Sequence, residues 1–106
     1  MKEAPNLSYI HQLSDGNKDF EEKLLNVVRR ELPEEIEVFK QNIRNKNYKE
    51  ASANVHKLKH KISILGLEKT YHLAEDYESE LREGENKRQA EFEEKLQMML
   101  AFVQQS

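Results

Sequence analysis

Residues 47–77 contain the run Val55-His56-Lys57-Leu58-Lys59-His60-Lys61, in which two patterns are superposed. The first is an apolar stripe that recurs at spacings of three and four from Tyr48 to Leu65, which is the period of one helix face. The second concerns the opposite side of that helix. At about 100° per residue, His56 falls about 135° from the centre of the stripe, so we expect its imidazole to face water.

The neighbours of His56 on this face are small or basic. At helical spacing they are Ser52, Lys59, His60 and Ser63. Ile64 is expected on the outer side of the same helix. Together these residues predict a docking ring around an accessible imidazole, and the lysines would attract a macromolecule that carries negative charge.

The composition predicts one all-α domain over residues 1–106. Such a length can bury a single core but not two. Only three glycines and two prolines interrupt the chain, which fits long helices joined by short turns. No run of alternating β-branched or aromatic residues is bounded by turn residues, so strands are not expected.

Charge and cysteine content exclude several classes of protein. A net charge of −3 argues against general nucleic-acid binding, although four lysines and one glutamate between Lys49 and Lys61 form a local basic patch. There are no cysteines and no apolar leader at the amino terminus. The longest apolar run, Met98 to Val103, is far shorter than the roughly 18 residues that span a bilayer. We therefore expect a soluble cytoplasmic protein that contacts neither membrane nor nucleic acid.

The first part of the chain predicts a tail, a short helix and a long helix. Residues 1–5 are expected to be frayed, and Asn6 can cap the short helix. From Asn17 to Asn45 the apolar residues keep a helical period across Pro33, which favours one kinked helix over two. Four aromatic residues on the apolar stripes of the chain are expected in the core, namely Phe20, Phe39, Tyr71 and Phe92.

The second part predicts three more helices. Asn47 is placed to cap the histidine helix, which Gly66 should end about 18 residues later as a left-handed residue. The next helix ends at Gly84, and Asn86 can cap the last one. The pattern predicts an antiparallel up-down four-helix bundle with a short extra N-terminal helix.

The residue order also resembles that of the histidine-containing phosphotransfer (HPt) domain of two-component relays. The motifs that carry the resemblance are Asn6 to Ile10, Gly16, Glu31-Leu32-Pro33, His56-x-Leu58-Lys59, Leu65-Gly66, Leu73 and Glu75 to Glu78. The likeness covers essentially the full chain, whose length is that of an isolated HPt domain. In one departure, His60 stands where the family commonly has glycine.

The resemblance implies a helical bundle with no catalytic activity and no cofactor of its own. His56 would accept the phosphoryl group, and Lys59 would lie beside it. The implied partners are receiver domains of response regulators and a hybrid histidine kinase, and we expect the chain to be a monomer. A neutral imidazole suits the role, because its pKa of about 6.5 leaves it nucleophilic near neutral pH. No carboxylate shares the face of His56 on its own helix, so any magnesium ion would come from the receiver.

The same residues permit three other interpretations. His56 and His60 have an i, i+4 spacing that can chelate zinc, but Lys57, Lys59 and Lys61 would repel a dication. An autokinase is disfavoured because the three glycines are isolated and form no phosphate-binding loop. The remaining alternative is a helical adaptor that binds signalling partners without carrying phosphate.

Overall fold

The computed structural model describes residues 3–105, and every regular element within that range is an α-helix. The helices are α1 (Ser8–Ser14), α2 (Lys18–Arg44), α3 (Tyr48–Ile64), α4 (Glu68–Arg82) and α5 (Gln89–Gln105). No strand occurs in this part of the chain, which confirms the all-α prediction. None of the described helices is long and apolar enough to cross a membrane.

Helices α2 to α5 enclose one apolar core. Helix α3 packs against α2 and α4, α5 packs against the same two helices, and α1 lies on α2. Near the centre, the ring of Phe39 meets those of Tyr77 and Phe92 edge-on, at centroid distances of 6.0 and 5.5 Å. The chain therefore forms a helical bundle, as predicted, and the antiparallel up-down order of its four long helices stays a prediction.

Helix α2 is continuous through Pro33, so the prediction of one long helix is confirmed. Asn17 caps it, because the side-chain oxygen of Asn17 accepts a hydrogen bond from the backbone N–H of Phe20 at 3.1 Å. The prediction that Phe20 lies in the core is wrong: the residue is 46% exposed. The reason is its position in the first turn, well before Val28, the first buried residue of α2.

Helix α3 spans 17 residues and ends where the sequence predicted. Gly66 follows it with φ of 73°, and Gly84 follows α4 with φ of 83°, so both adopt the left-handed conformation that glycine permits. Asn47 occupies the N-cap position of α3, but its side chain makes no capping hydrogen bond. The prediction that Asn47 occupies the N-cap position is therefore confirmed, although the capping hydrogen bond expected from its side chain is not formed.

The prediction of a frayed tail is wrong for Glu3, while residues 1 and 2 lie outside the described residues. The carboxylate of Glu3 accepts hydrogen bonds from the backbone N–H groups of Lys69 (2.6 Å) and Thr70 (2.9 Å) at the start of α4. Burial alone would raise the pKa of Glu3, but these hydrogen bonds hold it below its usual range. The backbone N–H of Asn6 also donates to the Leu65 carbonyl at 2.9 Å. The N-terminal segment thus fastens onto the turn between α3 and α4.

The prediction that Asn86 caps the last helix is also wrong. Its side-chain oxygen instead accepts a hydrogen bond from the hydroxyl group of Tyr77 at 2.5 Å. The backbone N–H groups of Lys87 and Arg88, just before α5, donate to the buried carboxylate of Glu80 at 2.5 and 3.1 Å. A carboxylate from α4 therefore satisfies the donors that precede α5.

The turns after α3 and α4 allow the cost of a left-handed backbone to be separated from the cost of a side-chain clash. A Cβ atom at Gly66 would lie 2.8 Å from the Asn6 side chain, whereas one at Gly84 would meet nothing within 4 Å. A left-handed alanine costs about 1–2 kcal/mol, so we expect Gly84→Ala to lose about that much and Gly66→Ala to lose more. Urea unfolding measures both losses. Equal losses in the two variants would show that Asn6 does not restrict position 66.

Candidate functional site

His56 lies in the middle of α3 with its side chain 60% exposed, which confirms that it faces water. Its neighbours Val55 and Leu58 are fully buried and fix the rotation of the helix about its axis. His60 and Ser63 are also exposed. The rings of His56 and His60 stand edge to face, 6.0 Å apart.

A carboxylate from the neighbouring helix reaches the imidazole. Nδ1 of His56 lies 3.1 Å from Oε2 of Glu78, whose side chain is only 7% exposed. The same carboxylate binds Nζ of Lys59 at 2.9 Å and Nη2 of Arg82 at 2.5 Å. Glu78 therefore joins two residues of α3 to one of α4.

Sequence reasoning missed Glu78 because it considered only carboxylates on the helix of His56. A signal was available, since Glu78 directly follows Tyr77, which forms an apolar stripe at helical spacing with Ala74 and Leu81 in the helix predicted to end at Gly84. A side chain beside such a stripe lies at the edge of a helix contact, where it can reach across to the neighbouring helix.

The ionisation of Glu78 decides the tautomer of His56. Burial raises the pKa of Glu78, but hydrogen bonds from Lys59 and Arg82, together with the charge of Lys59, hold it below its usual range. An ionised carboxylate can only accept hydrogen bonds, so Nδ1 of His56 must donate. In the neutral imidazole, Nε2 on the opposite edge of the ring then carries the lone pair. The arrangement presents a nucleophilic nitrogen to solvent.

Lys59 lies beside the histidine but is not a free surface cation. Its side chain is 12% exposed, and its Nζ lies 5.4 Å from the ring centroid of Tyr71 in addition to its ion pair with Glu78. The sequence placed Lys59 on the open face of α3. The structure places it in the crevice between α3 and α4, with Glu78 between its ammonium group and the imidazole of His56.

The prediction that Ser52 belongs to an exposed docking ring is wrong. Its side chain is buried, and its Oγ donates to the backbone carbonyl of Glu78 at 2.9 Å. The reason is that α4 covers this flank of α3, which the period of one helix cannot show. Ile64 is only partly exposed, because it packs against the core cluster.

Two of the four lysines in the basic patch expected from the sequence, Lys59 and Lys61, are paired with carboxylates. Lys61 is buried and binds the carboxylates of Glu31 and Glu35 on α2, at 3.0 and 3.3 Å. Lys59 binds Glu78, as described. The exposed surface that remains is called the histidine face below, and it comprises His56, Lys57, His60, Ser63 and Arg82.

Within residues 3–105, no group of three or more histidine, aspartate or glutamate side chains could hold a metal ion. His56 and His60 are therefore not accompanied by a third ligand among the described residues. The His56 and Glu78 pair offers proton and charge chemistry instead.

The sequence model of the Hpt domain matches residues 23–106. The match spans most of the chain, so the protein belongs to the Hpt domain family, and the resemblance seen in the sequence is confirmed. Hpt domains carry phosphoryl groups in two-component phosphorelays, where they interact with receiver domains and kinases. The match begins inside α2, so α1 lies outside it. No curated protein and no solved structure matched the chain.

The burial of Ser52 can be tested against its exposed neighbour Ala53. We expect Ser52→Trp to lower the free energy of unfolding by at least about 2 kcal/mol, because the indole would overpack the contact between α3 and α4. Ala53→Trp adds the same side chain to an open surface and should leave stability within about 0.5 kcal/mol of the original. Thermal unfolding compares the two variants, and equal stability would contradict the burial of Ser52.

Proposed function

We propose that this protein accepts a phosphoryl group on Nε2 of His56 from the aspartate of one receiver domain and passes it to another receiver. The observation that supports this most directly is the hydrogen bond from Nδ1 of His56 to Glu78, which assigns the lone pair of the neutral ring to Nε2 in a side chain that is 60% exposed. The antiparallel four-helix arrangement proposed for the bundle would hold this ring on a rigid helix.

The transfer is an in-line displacement at phosphorus. The lone pair of Nε2 attacks, the N–P bond forms, and the bond between phosphorus and the aspartate oxygen breaks and leaves a carboxylate. The ring becomes positively charged because Nδ1 keeps its proton, and the Glu78 carboxylate stabilises that charge through the existing hydrogen bond. Any magnesium ion that neutralises the phosphoryl oxygens is supplied by the receiver.

Lys59 is proposed to contact the phosphoryl oxygens. Its ammonium group has three donors, and one of them binds Oε1 of Glu78. The flexible side chain can turn a further donor towards a phosphoryl group on His56 without leaving the carboxylate. His60 and Ser63 are proposed to contact the phosphoryl group or the receiver. Both are exposed residues of α3 that follow His56 on the same face of the helix.

The receiver is proposed to dock on the histidine face. A carrier that must bind and release its partners quickly favours a small interface, below about 1,200 Å² in total. Lys57 and Arg82 supply positive charge at the rim, so association should weaken as salt rises. The proposed carrier acts as a monomer that a hybrid histidine kinase loads through its receiver.

His56→Gln tests the acceptor. The amide of glutamine can still donate to Glu78 but cannot form a stable phosphoryl adduct, so we expect transfer to be lost and stability to change by about 0.5 kcal/mol or less. The assay uses a receiver domain carrying a radiolabelled aspartyl phosphate and looks for acid-labile, alkali-stable label on this chain.

His60→Gln is the matched control and should keep the label. Label that persists in His56→Gln and disappears in His60→Gln would move the acceptor to His60. Binding of the receiver to the unchanged protein without any label would favour the adaptor function instead.

Lys59→Ala tests the proposed phosphoryl contact. We expect transfer to slow at least about tenfold, which corresponds to ~1.4 kcal/mol in the barrier. Stability should also fall, because Glu78 would lose one of its partners. Lys59→Arg keeps the charge and should restore part of the rate. Lys57→Ala removes a charge at the rim, so it should weaken association but leave the rate of transfer within the complex nearly unchanged. Single-turnover kinetics at saturating receiver concentration would contradict the role of Lys59 if Lys59→Ala and Lys57→Ala transferred equally fast.

A further inference from the structure

The group that holds Nδ1 of His56 is an anion that is almost completely buried. Glu78 binds the imidazole at 3.1 Å, and its other partners, Lys59 and Arg82, are both cations. An uncharged amide at this position could accept the same hydrogen bond from Nδ1. The negative charge is therefore not required to orient the ring.

The charge bears on how easily a phosphohistidine breaks down. When Nε2 carries the phosphoryl group, the ring is a cation while Nδ1 keeps its proton, and it is neutral once that proton is lost. The cationic form releases phosphorus more readily, because the departing group is a neutral imidazole instead of an imidazolate anion. A nearby carboxylate favours the cationic form, since its hydrogen bond to Nδ1–H is charge-assisted.

We propose that Glu78 is a positioning residue that keeps the phosphorylated His56 labile, so that the phosphoryl group is passed on quickly and not stored. This inference rests on the proposed function of His56. It adds that residue 78 sets the lifetime of the phosphohistidine and the balance between histidine and receiver.

The outgoing step balances without another reactant. An aspartate oxygen of the accepting receiver attacks phosphorus, the new P–O bond forms, and the N–P bond breaks. The electron pair of the N–P bond returns to Nε2, and Nδ1 retains its proton. The imidazole is then neutral, in the same tautomer that the unphosphorylated site holds, and no proton has to enter or leave.

The two cations of the site reinforce this effect. Lys59 and Arg82 are the basic groups bound to the carboxylate that neighbours His56, and each already forms an ion pair with Glu78. A phosphoryl group on His56 would share both cations with that carboxylate. Removing the charge of residue 78 would leave more of the donors and charge of Lys59 and Arg82 to the phosphoryl oxygens and would stabilise the phosphorylated state.

The test compares Glu78→Gln with the original protein. Both are loaded on His56 with phosphoramidate, a small phosphoryl donor, and freed of the donor, after which loss of the phosphohistidine is followed by ³¹P NMR at pH 7.5. We expect its half-life to increase about tenfold in Glu78→Gln, equivalent to ~1.4 kcal/mol in the barrier. The equilibrium with a receiver should shift towards the histidine. An unchanged or shorter half-life overturns the inference.

Glu75→Gln is the matched control. Glu75 lies on α4 one turn before Glu78, is exposed, and pairs with His72 at 3.2 Å. Its replacement removes the same unit of charge from the same helix and should leave the half-life unchanged. An equal increase in Glu75→Gln would attribute the effect to net charge and overturn a specific role of Glu78.

A second measurement needs no variant and decides the question if Glu78→Gln does not fold. In the original protein loaded with phosphoramidate, the ¹⁵N shift of Nδ1 of His56 should report a protonated nitrogen at pH 7.5. A shift typical of an unprotonated nitrogen overturns the inference. Failure of a phosphorylated receiver to label His56 would overturn the proposed function separately, because phosphoramidate loading does not depend on a receiver.

Discussion

The ion pairs of Glu78 tie the site to the packing of α3 on α4. Its carboxylate binds His56 and Lys59 on α3, and its backbone carbonyl accepts the hydroxyl of Ser52 from the same helix. A buried carboxylate is costly unless it is paired, and loss of one partner from such a pair typically costs about 3–5 kcal/mol. The same residue therefore sets both the register between the two helices and the arrangement of charges in the site, so neither can change without the other.

This constraint reconciles two demands on the histidine. A phosphoryl carrier must expose its imidazole to another macromolecule, yet an exposed side chain is usually free to change rotamer. The bond to Glu78 fixes the Nδ1 edge of the ring, while most of the side chain stays exposed. Beneath it, the buried Val55 and Leu58 keep α3 from rotating. The site is thus both accessible and oriented.

The period of one helix predicted which residues face its own core, and this was sufficient for His56, Gly66 and the unbroken course of α2. Its limit lies at the flanks of each helix. Ser52 was expected in water because it lies on the outer half of α3, but α4 packs over that flank and buries it. Glu78 was missed for the same reason, since a contact between helices depends on their relative register and not on spacing within either one.

The N-terminal segment also makes a contact that spacing along the sequence cannot predict. Glu3 is far in sequence from Lys69 and Thr70, and only the folded bundle brings its carboxylate to the start of α4. Nothing in residues 1–5 distinguishes such an anchor from a frayed tail. The motif order of the HPt family predicted His56 as the acceptor and Lys59 beside it, whereas their ionic surroundings required the structure.

The pairing of the lysines changes how a receiver would distinguish the two states of the carrier. Lys61 is balanced by Glu31 and Glu35, but Glu78 is a single carboxylate between two cations, Lys59 and Arg82. With the exposed Lys57 beside them, the surface around His56 is positive at rest. A phosphoryl group carries about 1.5 to 2 negative charges, and the imidazolium ring that holds it offsets one of them. In the proposed relay, the donating receiver would therefore leave a face that is less positive than the one on which it docked, so phosphorylation itself would weaken the electrostatic attraction and favour release.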